Sequence, residues 1–474
     1  MYGRTMRWMQ GVLAVLGLLA AAGPAGAQVG APGGAIPPRI LDARRVAFMR
    51  ELERRGGGVA VIRSAEERSI EGDYPQDSDY RENNDFLYLT GIERAESWLV
   101  FVAPDTGSAE RPRVILYLPP RDSMAERWTG PKLAPGEEAR RIVNLTDVRP
   151  STSVEAELRG LVAKHGTPAT GGALFLDLKE PLGPESPEFL RALAPNAATA
   201  SPRETPAVRD VRAITAALRL VKDPDELRRL DLAIDITGEA HRVAMAALEP
   251  GMYESELEAW IEFTFRRRGA ERVGFPSIVG SGPNAVTLHY DKSRRRMQAG
   301  ELVVVDIGAE YGYYSADITR TMPVSGTFTP RQRQLYDLVL ATQQAAIDSA
   351  RPGATVADLN RVARAHMRAH SGRLCAPVTC DVYFVHGLSH WLGMDVHDVG
   401  DYSRPLAPGM VLTIEPGIYI PAESLGIRIE DDILITEGPA RIMSAGAPRT
   451  AAAVEAAMAR PGPALPTAAS AQRP

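Results

Sequence analysis

The sequence predicts an α+β protein in which a smaller α/β domain precedes a larger domain of long helices and a mostly antiparallel sheet. Three observations carry that prediction. Strand-like runs alternate with helical stretches through the first half, the alternation of an α/β layer arrangement. A polar, breaker-rich stretch, "APNAATASPRETPAVRD" (194–210), reads as a linker between the halves. Beyond it, capped amphipathic helices flank apolar runs that fold back on one another.

Taken in order, residues 1–27 set Arg4 and Arg7 ahead of an apolar run from Val12 to Ala22, followed by Ala25-Gly26-Ala27. This is the pattern of a signal peptide cut before Gln28, so an exported protein, periplasmic or secreted, is expected. The competing reading is an uncleaved N-terminal anchor. No later run is long and apolar enough to cross a bilayer, so no stable membrane insertion is expected after cleavage. The first domain is assigned to 28–203, with strands at "GVAVIR", "WLVFVAP" and "RVILYLPP".

The second domain is assigned to 207–445. "VRAITAALRLV" and the long run after Pro224 read as helices, and "TFTPRQRQLYDL" opens a third, with Thr329 as N-cap, Pro330 at the first position and Gln332 placed for a capping box. The Ala/Pro-rich stretch 446–474 is expected to be disordered. Cys375 and Cys380, the only cysteines, could form a local disulfide in an exported chain, and they are too few for a structural zinc site.

Composition excludes some partners. A chain of 474 residues with a formal net charge of −5 has no basic excess for nucleic acid or an anionic membrane surface.

The chemistry concentrates in four stretches. In "VVVDIGAEYGYYSADITRT" (303–321), a two-residue turn at Tyr311-Gly312 would set Asp306 directly opposite Asp317. Opposed carboxylates on one face repel, so either they are solvated at an edge or something positive lies between them. "HGLSHWLGMDVHDVG" places His386, His390 and His397 close together, without the Glu a helical zinc-protease motif needs and with poor helix formers at Gly387 and Ser389. Glu415 ends the run "VLTI" before Pro416, and Glu430 follows Arg428 in "IRIEDD", where alternation puts Arg428 and Glu430 on one face and lets the arginine orient the carboxylate. Oxygen-rich sites with one imidazole suit Mn²⁺, with Co²⁺ or Zn²⁺ as alternatives. Four carboxylates balance two divalent ions better than one.

"VVDIGAEYGYYSADITRTMPV", "FVHGLSHWLGMDVHDVG", "LTIEPGIYI" and "GIRIEDDILIT" resemble, in order and spacing, the metal motifs of the Xaa-Pro aminopeptidases (aminopeptidase P), metallopeptidases of the pita-bread fold. The resemblance extends to "PSIVGSGPNAVTLHY" and, in the first domain, to "YRENNDFLYLTGIERAESWLVF" and "LPPRDSMAERWTGPKLAPGEEA". It implies that Asp306 binds one metal, that His390 and Glu415 bind the other, and that Asp317 and Glu430 bridge both. It further implies that His289, His386 and His397 line the substrate site, that Arg428 lies beside the second glutamate, and that a hydroxide bridging the metals attacks the carbonyl before proline, with Glu415 handling its proton. Peptides with proline in second position are the implied substrates, and a dimer or tetramer the implied assembly.

A prolidase shares the fold and the five ligands but cleaves only Xaa-Pro dipeptides, and the block "RDSMAERWTGPKLAPGEEA" resembles aminopeptidase P more than prolidase. A non-catalytic peptide- or protein-binding module, or creatinase-like chemistry without metals, would show broken ligand positions, and all five are intact here. Mass analysis of the exported protein is expected to show Gln28 as its first residue; an intact Met1 would overturn the cleaved leader.

Overall fold

A computed structural model describes residues 33–67, 80–104, 110–178, 193 and 207–460. The leader and most of the 194–210 stretch lie outside the described residues.

The first domain is built on six strands, β1 (Gly58–Arg63), β2 (Trp98–Ala103), β3 (Arg113–Leu118), β4 (Val148–Pro150), β5 (Ala173–Leu176) and β6 (Val208–Asp210), in the order β4-β3-β2-β1-β5-β6. β1 to β3 form an antiparallel meander, and β4, β5 and β6 join in parallel. The alternation of β1 and β2 divides their side chains between two cores. Ala60, Ile62, Leu99 and Phe101 pack with Phe48 of the Pro38–Arg54 helix, while Val59, Val61, Val100 and Val102 pack with Leu158 and Val162 of the Val154–His165 helix. β6 corrects the linker reading, because Val208–Asp210 continues the sheet beyond residue 203. A three-residue parallel strand is too short to show an apolar period in sequence.

In the second domain the helices Pro224–Ala247, Glu254–Arg267, Pro330–Ser349 and Val356–His370 pack around short antiparallel sheets. The Thr329–Gln332 capping box forms as expected. β7 (Arg272–Val273), β8 (Ile278–Ser281), β9 (Leu302–Ile307), β10 (Ala309–Tyr311), β11 (Tyr314–Ser315) and β12 (Ile318–Pro323) form one ribbon with its neighbours. β13 (Val411–Ile414), β14 (Gly417–Ile420), β15 (Leu425–Arg428) and β16 (Asp431–Leu434) form the other, with β17 (Arg441–Ile442) at its edge. Cys375 and Cys380 are disulfide-bonded. No helix among the described residues is long and apolar enough to cross a membrane.

Two expectations are corrected here. The hairpin turns at Gly312-Tyr313, both with positive φ (57° and 70°), one residue later than expected, so Thr319 and not Asp317 lies opposite Asp306. A left-handed tyrosine is costly by roughly 1–2 kcal/mol, and here it is held by the first domain: its hydroxyl accepts from the Glu82 amide (2.8 Å) and donates to Glu93, and the Arg81 guanidinium lies 4.8 Å from its ring centre. The register moves by two, which preserves the face, so Asp306 and Asp317 remain on one side of the ribbon.

The stretch after 446 is also not disordered throughout. Thr450 caps a helix, Ala451–Met458, that buries Ala451, Val454 and Ala457 in the second domain's core. Alanine is the best helix former, so an Ala-rich run with an N-cap folds once it has a surface to cover. Residues 461–474 lie outside the described residues. Val454→Asp is expected to lower unfolding free energy by on the order of 3 kcal/mol in denaturant melts, whereas a disordered tail would tolerate it at no cost.

Candidate metal centre

Asp306 stands one residue before the end of β9, between Ile278 of β8 and Thr319 of β12. Asp317 sits in the gap between β11 and β12, two residues before Thr319 and on the same face. The backbone N–H of Asp317 donates to Asp432 Oδ2 (3.2 Å), and Arg428 Nη2 donates to Asp306 Oδ2 (2.6 Å).

The second ribbon supplies the glutamates. Ile414 pairs with Asp431 and Gly417 with Arg428 in one continuous register, so Glu415 falls opposite Glu430. Neither amide joins the ladder between them: Glu415 N–H donates to the Leu388 carbonyl (2.9 Å) and Glu430 N–H to the Thr319 carbonyl (3.1 Å). This is the non-hydrogen-bonded type of pair, in which side chains lie closest. The Glu430 amide thereby sutures the two ribbons together.

His390 arrives on a segment laid along β13, where Trp391 bridges Leu412 and the Thr413 amide donates to the His390 carbonyl. Its Nδ1 faces the Trp391 carbonyl at 3.1 Å. Donation there leaves Nε2 as a lone pair, the tautomer a metal ligand needs. Nε2 lies 3.3 Å from Asp317 Oδ2, 3.7 Å from Glu415 Oε1 and 3.9 Å from Glu430 Oε1.

Asp317, His390 and Glu430 each bring a ligand atom within 4.8 Å of the others, and one oxygen each of Asp306, Asp317 and Glu430 is buried without a hydrogen-bond partner. Buried carboxylate oxygens that accept nothing are expensive. Burial, then the neighbouring Asp306, pushes Asp317 well above the usual carboxylate range, and burial followed by Asp317 does the same to Glu430. Burial raises Glu415 to about 7. Burial is the largest influence on Asp306, but the Arg428 guanidinium together with hydrogen bonds from Asp317, Thr319 and Arg428 outweighs it and holds that carboxyl low. The donor set therefore fits divalent cations, with all five predicted ligands in one place.

The accessory residues are partly as expected. His386 is buried enough to be pushed down to about 4, with Arg428 as the next cause; its Nδ1 faces the Gly387 carbonyl (2.8 Å) and its Nε2 the Tyr419 hydroxyl (2.9 Å). His397 is exposed, its ring 4.3 Å from that of His390, and its pKa is lowered by burial and then by His390 and His289. His289 is exposed on the loop after β8. Arg428 departs from expectation. Its guanidinium reaches across to Asp306 on the other ribbon, and Glu430 is oriented instead by Thr319 Oγ1, which donates to Oε2 at 2.6 Å.

Thr319 and Tyr419 were not singled out in sequence. Thr319 could have been found from its parity with Asp317; Tyr419, which accepts from Arg428 Nη1 (2.9 Å) and meets His386, carries no such signal.

The model of metallopeptidase family M24 matches residues 228–437, and that of the aminopeptidase P N-terminal domain matches 41–168. The Xaa-Pro aminopeptidase of Escherichia coli (strain K12) is 36% identical over 449 residues, which cover 88% of this chain and 96% of that protein. The chain belongs to metallopeptidase family M24. Human Xaa-Pro aminopeptidase 3 is 32% identical over 391 residues, covering 78% of this chain and 75% of that one. Zinc-substituted E. coli aminopeptidase P in complex with product superposes with a TM-score of 0.79 at 32% identity, covering 90% of this chain and 99% of that structure. The expected pita-bread domain behind an aminopeptidase P N-terminal domain is thus the architecture of this M24 protein.

Carboxyls whose pKa is raised in the fold take up protons on folding, so the stability they contribute to the metal-free protein is fully present in acid and is lost as pH rises. For Glu415 the window runs from its ordinary 4.5 to about 7, with Asp317 and Glu430 acting in the same direction. Urea melts of the chelated protein are expected to show a loss on the order of 3 kcal/mol between pH 5 and 7.5, recovered by Mn²⁺ at pH 7.5. A flat profile would refute this reading of the carboxylates.

Proposed function

We propose that this M24 metallopeptidase removes the N-terminal residue from peptides whose second residue is proline, using two divalent ions, Mn²⁺ by preference. That it is a metal-dependent aminopeptidase follows from its family and relatives. The observation that carries the finer reading is the convergence of unpartnered Asp306, Asp317 and Glu430 oxygens on the same face as His390 Nε2 and Glu415. Asp306 would serve one ion, His390 and Glu415 the other, and Asp317 and Glu430 both. Held by these residues, such ions would supply Lewis acidity, for activating a water and for polarising the substrate carbonyl.

The chain's own residues supply the rest. Glu415 is placed to handle a proton, its Oε2 lying 3.6 Å from His386 Nδ1. His386 stays uncharged at neutral pH, fixed by Tyr419 and the Gly387 carbonyl, and so offers hydrogen bonding to the peptide without adding charge. His397 and His289 stand exposed beside the cluster, where a substrate would pass. The relatives named Xaa-Pro aminopeptidase and the matching aminopeptidase P N-terminal domain favour substrates longer than a dipeptide.

The deciding assay compares an Xaa-Pro-Yaa tripeptide with an Xaa-Pro dipeptide, using chelated enzyme with and without Mn²⁺. Metal-dependent release of the first residue from the tripeptide is expected. Cleavage of the dipeptide alone would make the protein a prolidase, and cleavage of neither by metal-loaded protein would make it a binding module. Asp306→Asn and Glu430→Gln should lose at least about 100-fold in turnover, the scale of removing a principal electrostatic group, while remaining folded. His397→Ala should lower turnover more than metal content, and an equal loss of both would make it a ligand.

A further inference from the structure

Gln343 lies in the middle of the Pro330–Ser349 helix and is fully buried. An uncharged amide at full burial on a core-facing helix position needs a reason, because it must be hydrogen-bonded to be tolerated. Its Nε2 donates to two backbone carbonyls, Ile414 O at 2.9 Å and Ile429 O at 3.1 Å. Each is the residue immediately before a glutamate of the site, Glu415 and Glu430.

The local backbone explains why one of these carbonyls, that of Ile429, needs an outside donor. In the register of the second ribbon Pro416 faces Ile429 in a hydrogen-bonded position, and the Ile429 N–H donates to the Pro416 carbonyl (3.4 Å). Such a pair normally exchanges two bonds. The reciprocal bond cannot form, because proline has no N–H. β13 and β16 separate here from β14 and β15, leaving Glu415 and Glu430 in the break. Gln343 supplies the missing donor, and the same nitrogen spans both strands.

We propose that Gln343 is a positioning residue that fixes the separation of Glu415 and Glu430 by replacing the ladder hydrogen bond that Pro416 removes. This rests on the reading of both glutamates as metal ligands. Carboxylates opposed across a proline-broken ribbon would otherwise be free to splay under their mutual repulsion. One amide nitrogen on two carbonyls ties the strands through a rigid helix.

The test uses the full-length protein and Mn²⁺ titration calorimetry. Gln343→Leu, with Gln343→Met as a second variant of similar volume should the first not fold, is expected to weaken Mn²⁺ binding about tenfold, the scale of one lost buried hydrogen bond. Circular dichroism is expected to be unchanged. In the Pro416→Ala background the ladder N–H returns, so the same Gln343 substitution should cost Mn²⁺ affinity threefold or less. Wild-type binding by a folded Gln343 variant would overturn the inference, as would an equal loss in both backgrounds, which would mark Gln343 as ordinary core. Failure of the wild-type protein to bind Mn²⁺ at all would instead refute the metal reading.

Discussion

The structure depends on holding four carboxylates together out of water. Asp306, Asp317 and Glu430 are buried, Glu415 stands half-buried beside them, and a single imidazole lies among the four. Isolated, each would lose its charge on burial, and together they repel. The fold opposes this with cations that are not ligands. Arg428 neutralises Asp306, and behind the cluster the buried Arg320 donates to Asp431 (2.7 Å) and to the Thr319 and Glu430 carbonyls. Removing one partner of such a buried pair typically costs 3–5 kcal/mol, so these arginines are as much a part of the site as its carboxylates.

Rigidity comes from dividing the carboxylates between two ribbons and suturing the ribbons to each other. Thr319 is the joint: its hydroxyl donates to Glu430, accepts from Arg428 Nε (3.0 Å), and its carbonyl receives the Glu430 amide. The long helices brace the ribbons from outside. His241 of the Pro224–Ala247 helix meets the Ile318 carbonyl (2.9 Å), as Gln343 meets those of Ile414 and Ile429. The first domain contributes at the far end, where it secures Tyr313 at the tip of the aspartate ribbon.

Much of the site was legible in sequence because a strand's period is two and a turn's composition is restricted. The parity of Asp306 with Asp317, and of Arg428 with Glu430, survives a two-residue error in the turn, which is why the faces were right although the opposed pair was wrong. Capping boxes were legible for a similar reason: Thr329 and Gln332 act within one helical turn. The Ala-rich segment 451–458 was misread because its helix depends on a distant surface, and Val208–Asp210 because a short parallel strand is defined by its neighbour.

By itself the sequence determined which chemistry is available: acids at fixed parity on apolar strands, a histidine cluster without a helical frame, and a proline after Glu415. These are local properties, set by alternation, turn preference and side-chain type. Only the tertiary structure decided who serves whom. Arg428 reaches Asp306 and not Glu430, Thr319 takes over Glu430, Tyr419 meets His386, and Gln343 crosses to two strands 71 and 86 positions away in the chain. Long side chains choose among partners brought near by packing, and that choice depends on distances that spacing along a chain does not encode.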